Sequence, residues 1–391
     1  MQAQIDRDAA RDTRTDASGL DGVVEVFASL LANGTHPGAQ LTVRRAGRVL
    51  LQAAGGTALP GHAGPEVSSQ TLFLLFSATK PLTALAIHML AERGRIELDA
   101  PVARYWPEFA QGGKEAATIL HVMSHQGGLP VGPKWLTWEK WGDLDTVARA
   151  MAERQARWVP GEDVGYHPLN YGWILGEVVR RVDGRSIGRF VADEITGPLG
   201  LHDTYIGLPP ERDAEVAHHV DLSGENAFIS DFNRPEVHAA QCGAATGIST
   251  TTDLSRFYAM LLRGGEIDGV RLVEPETVAR ATGVVIDMQR DRTLQVAVRW
   301  ALGFHLGGPS SAFGRRSSPR TFGHSGHGST TAWADPELDL AIAFFTNGVQ
   351  SSIVNYMRMT RVSDAILAAC GRPAPSERAV SAPAPARPQQ P

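Results

Sequence analysis

Ser77-Ala78-Thr79-Lys80, followed directly by Pro81, constrains this chain more than any other stretch of it. A serine and a lysine three residues apart share one face of a helix, one above the other. The surrounding segment reads as a helix that begins at the serine. After Pro81 the apolar residues fall at Leu82, Leu85, Ala86, Met89 and Leu90, the spacing of one helix face. Pro81 fits in the first turn, where main-chain N–H groups have no helical partner, and Gly94 is a fitting stop. Ser77 is thereby placed at a helix N-terminus, where free N–H groups and the helix dipole favour a developing negative charge. A lysine amine beside it can take the hydroxyl proton and make the serine a nucleophile. Serine is also a common N-cap, and a two-residue pattern recurs by chance in a chain of 391 residues. Lysine is scarce here, however: of 37 Lys plus Arg only Lys80, Lys114, Lys134 and Lys140 are lysines, which lowers that chance rate.

Composition narrows the classes of function. A chain 43% hydrophobic and 20% charged is an ordinary globular one, long enough for one large or two modest domains. A net charge of −5 with no basic block argues against nucleic acid as a partner. No apolar run reaches membrane-spanning length, and residues 1–21, rich in Asp, Arg and Ala, lack the apolar core of a signal peptide. Cytoplasmic residence is the default expectation. The two cysteines, Cys242 and Cys370, imply no disulfide framework.

Along the chain, strand signals gather at the two ends and helix signals in the middle. Gly22 to Leu31 reads as a helix, and Gln40–Arg45 with Arg48–Gln52 reads as a hairpin around Ala46-Gly47. Asp143 to Arg154, Asn170 to Val182 and Asp253 to Arg263 have helical period and caps, with Asp253 as N-cap of the last. Thr321–Gly323, Thr330–Ala334 and Leu338–Thr346 read as short strands before a closing helix from Ile353 to Ala369. The expected fold is α+β: a discontinuous sheet domain from 22–96 plus 242–371, flanked by helices, and an inserted, mainly helical domain over 97–241. Residues 1–21 and the Pro/Ala-rich tail 372–391 are expected to be disordered. The cleft between the two units is the expected place for a small-molecule site.

A Ser-Lys pair gains from a tyrosine in the same cleft. Unperturbed lysine and tyrosine titrate near ~10, so neither is a base at neutral pH unless burial or a shared proton changes that. Tyr166 follows the loop signal Trp158-Val159-Pro160-Gly161-Glu162 and precedes the helix near Asn170, a position from which a loop residue faces a cleft. Further on, His324-Ser325-Gly326 closes one strand and His327-Gly328-Ser329 leads into the next. Glycines beside a strand edge admit a ligand close to the backbone, and an edge N–H there can pair with that of Ser77 as an oxyanion hole. Trp135, Trp138 and Trp141, three residues apart, offer an apolar wall for part of a substrate.

Taken in order, these motifs resemble the serine β-lactamase and penicillin-binding-protein superfamily, and more closely the class C β-lactamase-like esterases known as family VIII carboxylesterases. The resemblance runs from about Gly22 to Gly371. It rests on Phe76-Ser77-Ala78-Thr79-Lys80, on the stretch from His121 to Pro130, on Tyr166-His167-Pro168-Leu169-Asn170-Tyr171-Gly172-Trp173, and on Gly323-His324-Ser325-Gly326. It implies that Ser77 is the acylated nucleophile, Lys80 the general base and Tyr166 its partner in proton transfer. His324, Ser325 and Gly326 are the third motif, and the N–H groups of Ser77 and His327 the oxyanion hole. No cofactor or metal is called for. Two departures matter: Pro168 stands where β-lactamases carry Asn in the second motif, and His324 where they usually carry Lys in the third. Both point away from a β-lactam or peptidoglycan carboxylate and toward small carboxylic esters. The rival readings are acyl transfer from the same acyl-enzyme, β-lactamase or D-amino-acid peptidase activity, and a binding homologue without catalysis.

Three other features compete for attention. Gly184-Arg185-Ser186-Ile187-Gly188 has the spacing of an α/β-hydrolase nucleophile elbow, but that elbow needs a strand before the serine, and a helix precedes it here; Ser186 reads as a helix cap. His121 and His125 stand four apart without the rest of a metal motif. His218-His219 has no assembled partners and reads as surface.

Overall fold

The computed structural model describes residues 1–61, 64–308 and 310–371 of the chain. Its centre is a nine-stranded antiparallel sheet built from β1 (Gln2–Ile5), β2 (Gly38–Arg45), β3 (Arg48–Gly56), β4 (Ile286–Arg290), β5 (Ala297–Trp300), β6 (His305–Leu306), β7 (Phe322–Ser325), β8 (Thr330–Asp335) and β9 (Leu340–Thr346). The spatial order is β1-β3-β2-β9-β8-β7-β6-β5-β4, so strands from the two ends of the chain interleave. The β2–β3 hairpin turns through Ala46 (φ 50°) and Gly47 (φ 78°). Two successive positive φ angles make the turn that matches strand twist, and they fix the register Arg45 opposite Arg48.

Strand β9 is buried along its whole length, and its side chains sort by parity. Leu340, Ile342 and Phe344 pack with α1 (Ala17–Ala32) and the closing helix Ser352–Ala369, through residues such as Phe27 and Ile366. Ala341, Ala343 and Phe345 face the other way, into a core shared with the helices of the middle of the chain. The small alanines on that face let the helix Thr251–Leu262 pack against β9, while α2 (Lys80–Glu92) packs on α3 (Asn170–Asp183). The fold is α+β, as the motif order implies.

Several local expectations need correction. Residues 1–21 are ordered rather than disordered. Gln2–Ile5 pairs with β3 from Gln2 opposite Ala54 to Ile5 opposite Leu51, and Asp6 caps a helix over Arg7–Asp12 whose Ala9 and Ala10 are fully buried. Backbone pairing with a distant hairpin edge stabilises this polar strand, and composition carries no trace of that. Strands β4, β5 and β6 are additional to the expected set. The helix Thr251–Leu262 is capped by Thr250, whose hydroxyl accepts from the N–H of Asp253, so Asp253 lies inside the first turn. The tail 372–391 lies outside the described residues. Among the described residues no helix is long and apolar enough to cross a membrane.

Candidate active site

Ser77 does not sit in the α-helix itself. A 3₁₀ turn over Phe76–Thr79 feeds directly into α2, which starts at Lys80 with Pro81 in its first turn. Three residues per turn eclipse i and i+3, so the Lys80 side chain rises beside Ser77. The turn is anchored through Thr79, whose hydroxyl donates to Phe76 O at 2.6 Å and accepts from Gly247 N at 2.9 Å. Phe76, just before the serine, has φ 48°, a costly conformation for a bulky residue and one typical of functional sites.

Lys80 is fully buried. Its Nζ lies 3.1 Å from Ser77 Oγ, 2.9 Å from Pro168 O and 3.2 Å from Ala244 O. Burial, slightly offset by nearby Cys242, brings the amine down to about 7. A neutral amine has two N–H groups and one lone pair. The two carbonyls take the N–H groups, which leaves the lone pair for the hydroxyl of Ser77.

Tyr166 is buried and lies with its ring face 4.7 Å from Lys80 Nζ. Burial, reinforced by Asp291 and opposed by Ser77, holds its phenol well above the usual tyrosine range. Around it stand Trp300, nearly coplanar at 5.6 Å between ring centres, His125 at 4.7 Å edge-on, and His324 at 6.1 Å. Burial holds the imidazoles of His125 and His324 well below the usual histidine range, and those of His167 and His305 near 3 and 4. At neutral pH this shell is therefore uncharged.

The third motif comes from the end of β7. His324 Nδ1 faces Ser325 O at 2.9 Å, the Ser325 hydroxyl is 3.1 Å from Thr331 Oγ1, and Gly326 N donates to Thr330 O at 2.8 Å. The main chain at Gly326 runs hard against the nucleophile's own segment: a Cβ there would lie 2.2 Å from Leu75 O. Among the described hydrogen bonds, none uses the main-chain N–H of Ser77 or of His327. His327 Nε2 meets Asn226 Oδ1 at 2.8 Å.

These groups border a cavity of about 640 Å³ lined mostly by apolar side chains. Ser77, Tyr166, His324, Ser325, Gly326 and His327 all reach it, together with Trp138, Trp141, Phe228, Phe232 and Trp300. Among the described residues Asp231 is its one charged lining residue, paired with Arg234 at 3.1 Å, while Arg234 lies over Trp138. Trp135 does not join the expected wall. It is 46% exposed and lies beneath Lys140, because the short 3₁₀ turn Trp138–Lys140 aims only Trp138 and Trp141 inward.

The competing features have local roles. Ser186 caps the helix Ile187–Val191, after Gly184 closes α3 at φ 91°. His121 completes a capping box with Thr118, and His125 Nδ1 accepts from His167 N. His218 is exposed, but His219 is buried against Phe76 at 5.0 Å, contrary to a surface reading; the aromatic segment it supports lies far off in sequence. Sequence reasoning did not find the carbonyls of Pro168 and Ala244, which carry no side-chain signal, nor Asp291, Trp300, His125 and His167, each of which meets the site through a residue distant along the chain.

Comparison with known proteins identifies the family. The beta-lactamase family model matches residues 23–363. The chain is 33% identical to the esterase/beta-lactamase LipL of Mycobacterium tuberculosis, over 85% of this chain and 82% of that one. The crystal structure of a penicillin-binding protein homologue from Caulobacter crescentus superposes with a TM-score of 0.81 at 33% identity, covering 91% of this chain and 98% of the other. That of a family VIII carboxylesterase superposes with a TM-score of 0.80 at 28% identity, covering 94% and 100%.

Proposed function

The chain belongs to the beta-lactamase family of serine hydrolases, and from that premise we propose that it is a carboxylesterase acting on small esters through an acyl-enzyme on Ser77. The observation that carries this reading is the Lys80 amine, buried without a carboxylate and held by two carbonyls so that its lone pair is left for Ser77 Oγ. The Ser77 proton passes to Lys80 as Oγ attacks the ester carbonyl. The tetrahedral oxyanion forms between the N–H groups of Ser77 and His327. Its collapse breaks the bond to the alcohol, which leaves with a proton delivered by the Tyr166 hydroxyl; Lys80 then returns its proton to Tyr166. Water repeats the sequence on the acyl carbonyl and regenerates the serine. The phenol, held protonated, acts here as a relay, and the amine is the base.

The cavity supports an ester over a β-lactam or a D-amino-acid peptide. Among the described residues it presents no lysine or arginine to a substrate carboxylate, and Pro168 and His324 occupy the positions where, in the family pattern, an amide and an ammonium would stand. The LipL relative, whose name joins both activities, keeps a residual β-lactamase activity in view. Acyl transfer would use the same residues, with an alcohol in place of the second water.

The direct test is to quench p-nitrophenyl butyrate turnover in acid and map the butyryl group by mass spectrometry. It is expected on the peptide that contains Ser77, with nitrocefin turned over far more slowly than the ester. A butyryl group on the Ser186 peptide, or nitrocefin turnover equal to that of the ester, would sink the reading. A pH profile adds a second expectation. The base must be neutral to accept a proton, so kcat/KM should fall as pH drops through a limb near 7, where burial has placed the Lys80 amine. A limb that stays near ~10, the ordinary lysine value, would show that burial does not ready the Lys80 amine to act as a base at neutral pH.

A further inference from the structure

Asp291 is a carboxylate with 0% exposure for which the reaction described above has no use. It follows the edge strand β4, and the arginines nearest in sequence are engaged elsewhere: Arg292 with Asp163, Arg299 with Asp287 and Arg290 with Gln295. Its charge is met by main-chain N–H groups. Tyr166 N lies 3.0 and 2.9 Å from its two oxygens, and Thr293 N and Leu294 N donate to Oδ1 at 2.7 and 2.8 Å. The surrounding main chain is tied into the same knot. Arg292 N donates to Val164 O at 2.9 Å, Asp291 N to Val296 O at 2.9 Å, and Gln295 N to Asp291 O at 2.8 Å. Thus one carboxylate joins the loop carrying Tyr166 to the β4–β5 loop, whose Thr293 and Leu294 line the same cavity as Ser77.

We propose that Asp291 is a positioning residue: it sets the main chain of Tyr166 and the cavity wall Thr293–Leu294 in one register against Ser77 and Lys80. The proposal rests on Ser77 as nucleophile and Tyr166 as relay. A buried carboxylate without a cationic partner is expensive unless several donors satisfy it, and here the donors are the N–H groups of the elements being placed. The charge has a second consequence. The titratable groups facing the phenol are Lys80 from α2, His125 from the loop after residue 123, Tyr171 from α3, His324 from β7, and Asp291 itself. Asp291 opposes the phenolate and keeps the relay proton in place at alkaline pH.

The experiment uses the full chain, with competent sites counted by fluorophosphonate titration, and compares wild type with Asp291→Asn and Asp291→Glu on p-nitrophenyl acetate across pH. Asp291→Asn removes the charge and turns an amide toward main-chain donors. It should lower kcat per titrated site by roughly 10²-fold with KM changed by less than about threefold, and bring the alkaline limb of kcat/KM to lower pH than in wild type. Asp291→Glu keeps the charge, so it should lose rate through displacement while retaining the wild-type alkaline limb. Should Asp291→Asn not fold, Asp291→Ser carries the same comparison with one acceptor and no charge. A purely structural role would reduce only the number of titratable sites. A neutral variant whose per-site kcat and alkaline limb match wild type overturns the proposal. Failure of the wild type to be titrated at Ser77 would instead sink the esterase reading on which it rests.

Discussion

Ser77→Ala is expected to lower kcat/KM for p-nitrophenyl butyrate by roughly 10⁴–10⁶-fold at equal folded concentration, and Lys80→Met by a similar factor. The size follows from how completely the reaction depends on one hydroxyl and one lone pair. Among the described residues no second nucleophile borders the cavity with a base in place: Ser325 Oγ is engaged with Thr331, and Cys242, pushed up to about 12 by burial, lies outside the cavity lining. Without Lys80 the serine keeps its proton, because Tyr166 is itself held protonated and burial holds the imidazoles of His125 and His324 well below the usual histidine range, which makes them weak bases. The two substitutions disable one unit, so the double variant should be about as slow as either single one rather than the product of both. Additive losses would mean that lysine and serine act in separate steps. A Ser77→Ala variant with wild-type turnover would place the nucleophile elsewhere and reopen Ser186.

Much of this site was legible because its key groups lie in short local motifs. Ser77 and Lys80 are joined by one turn of backbone, and His324 to His327 by one strand end, so spacing alone implies their proximity. That Tyr166 meets them required the long reach from residue 80 to 168, closed in the structure by the bond from Lys80 Nζ to Pro168 O. Pro168 departs from the family pattern: it has no side-chain amide, and the lysine uses its main-chain carbonyl, which any residue there would offer.

What the residues did not reveal has a common physical cause. Asp291 gains its meaning from the N–H of a residue 125 positions away. Strand β1 exists because β3 has a free edge, and His219 is buried because Phe76 turns toward it. Trp135 and Trp138 carry the same side chain three residues apart, yet the one lies on the surface beneath Lys140 and the other forms part of the cavity wall. Periodicity and composition report which face of an element is apolar. They do not report which distant element covers it.

The second large effect is expected at a residue with no side chain. A Cβ at Gly326 would lie 2.0 Å from Thr330 Oγ1 and 2.2 Å from Leu75 O, and the second of these is main chain that cannot rotate away. Thr330 is itself fixed, donating to the same Leu75 carbonyl at 2.8 Å. Gly326→Ala must therefore push the end of β7 away from the 3₁₀ turn that carries Ser77. The cost is overpacking of about 3 kcal/mol, near the upper end for such insertions, and a lower Tm by calorimetry. The catalytic cost is separate. His327 follows Gly326 directly, and if its N–H and that of Ser77 form the oxyanion hole, widening the gap between the two segments removes one donor from the developing charge. Loss of one such donor costs roughly 10²–10³ in kcat. The folded fraction of Gly326→Ala should thus turn over p-nitrophenyl butyrate at least ~10²-fold more slowly, with KM little changed, because the hole acts on the transition state rather than on the bound ester. A variant that loses stability but keeps kcat per folded molecule would show that the third motif braces the sheet and leaves the oxyanion to other donors.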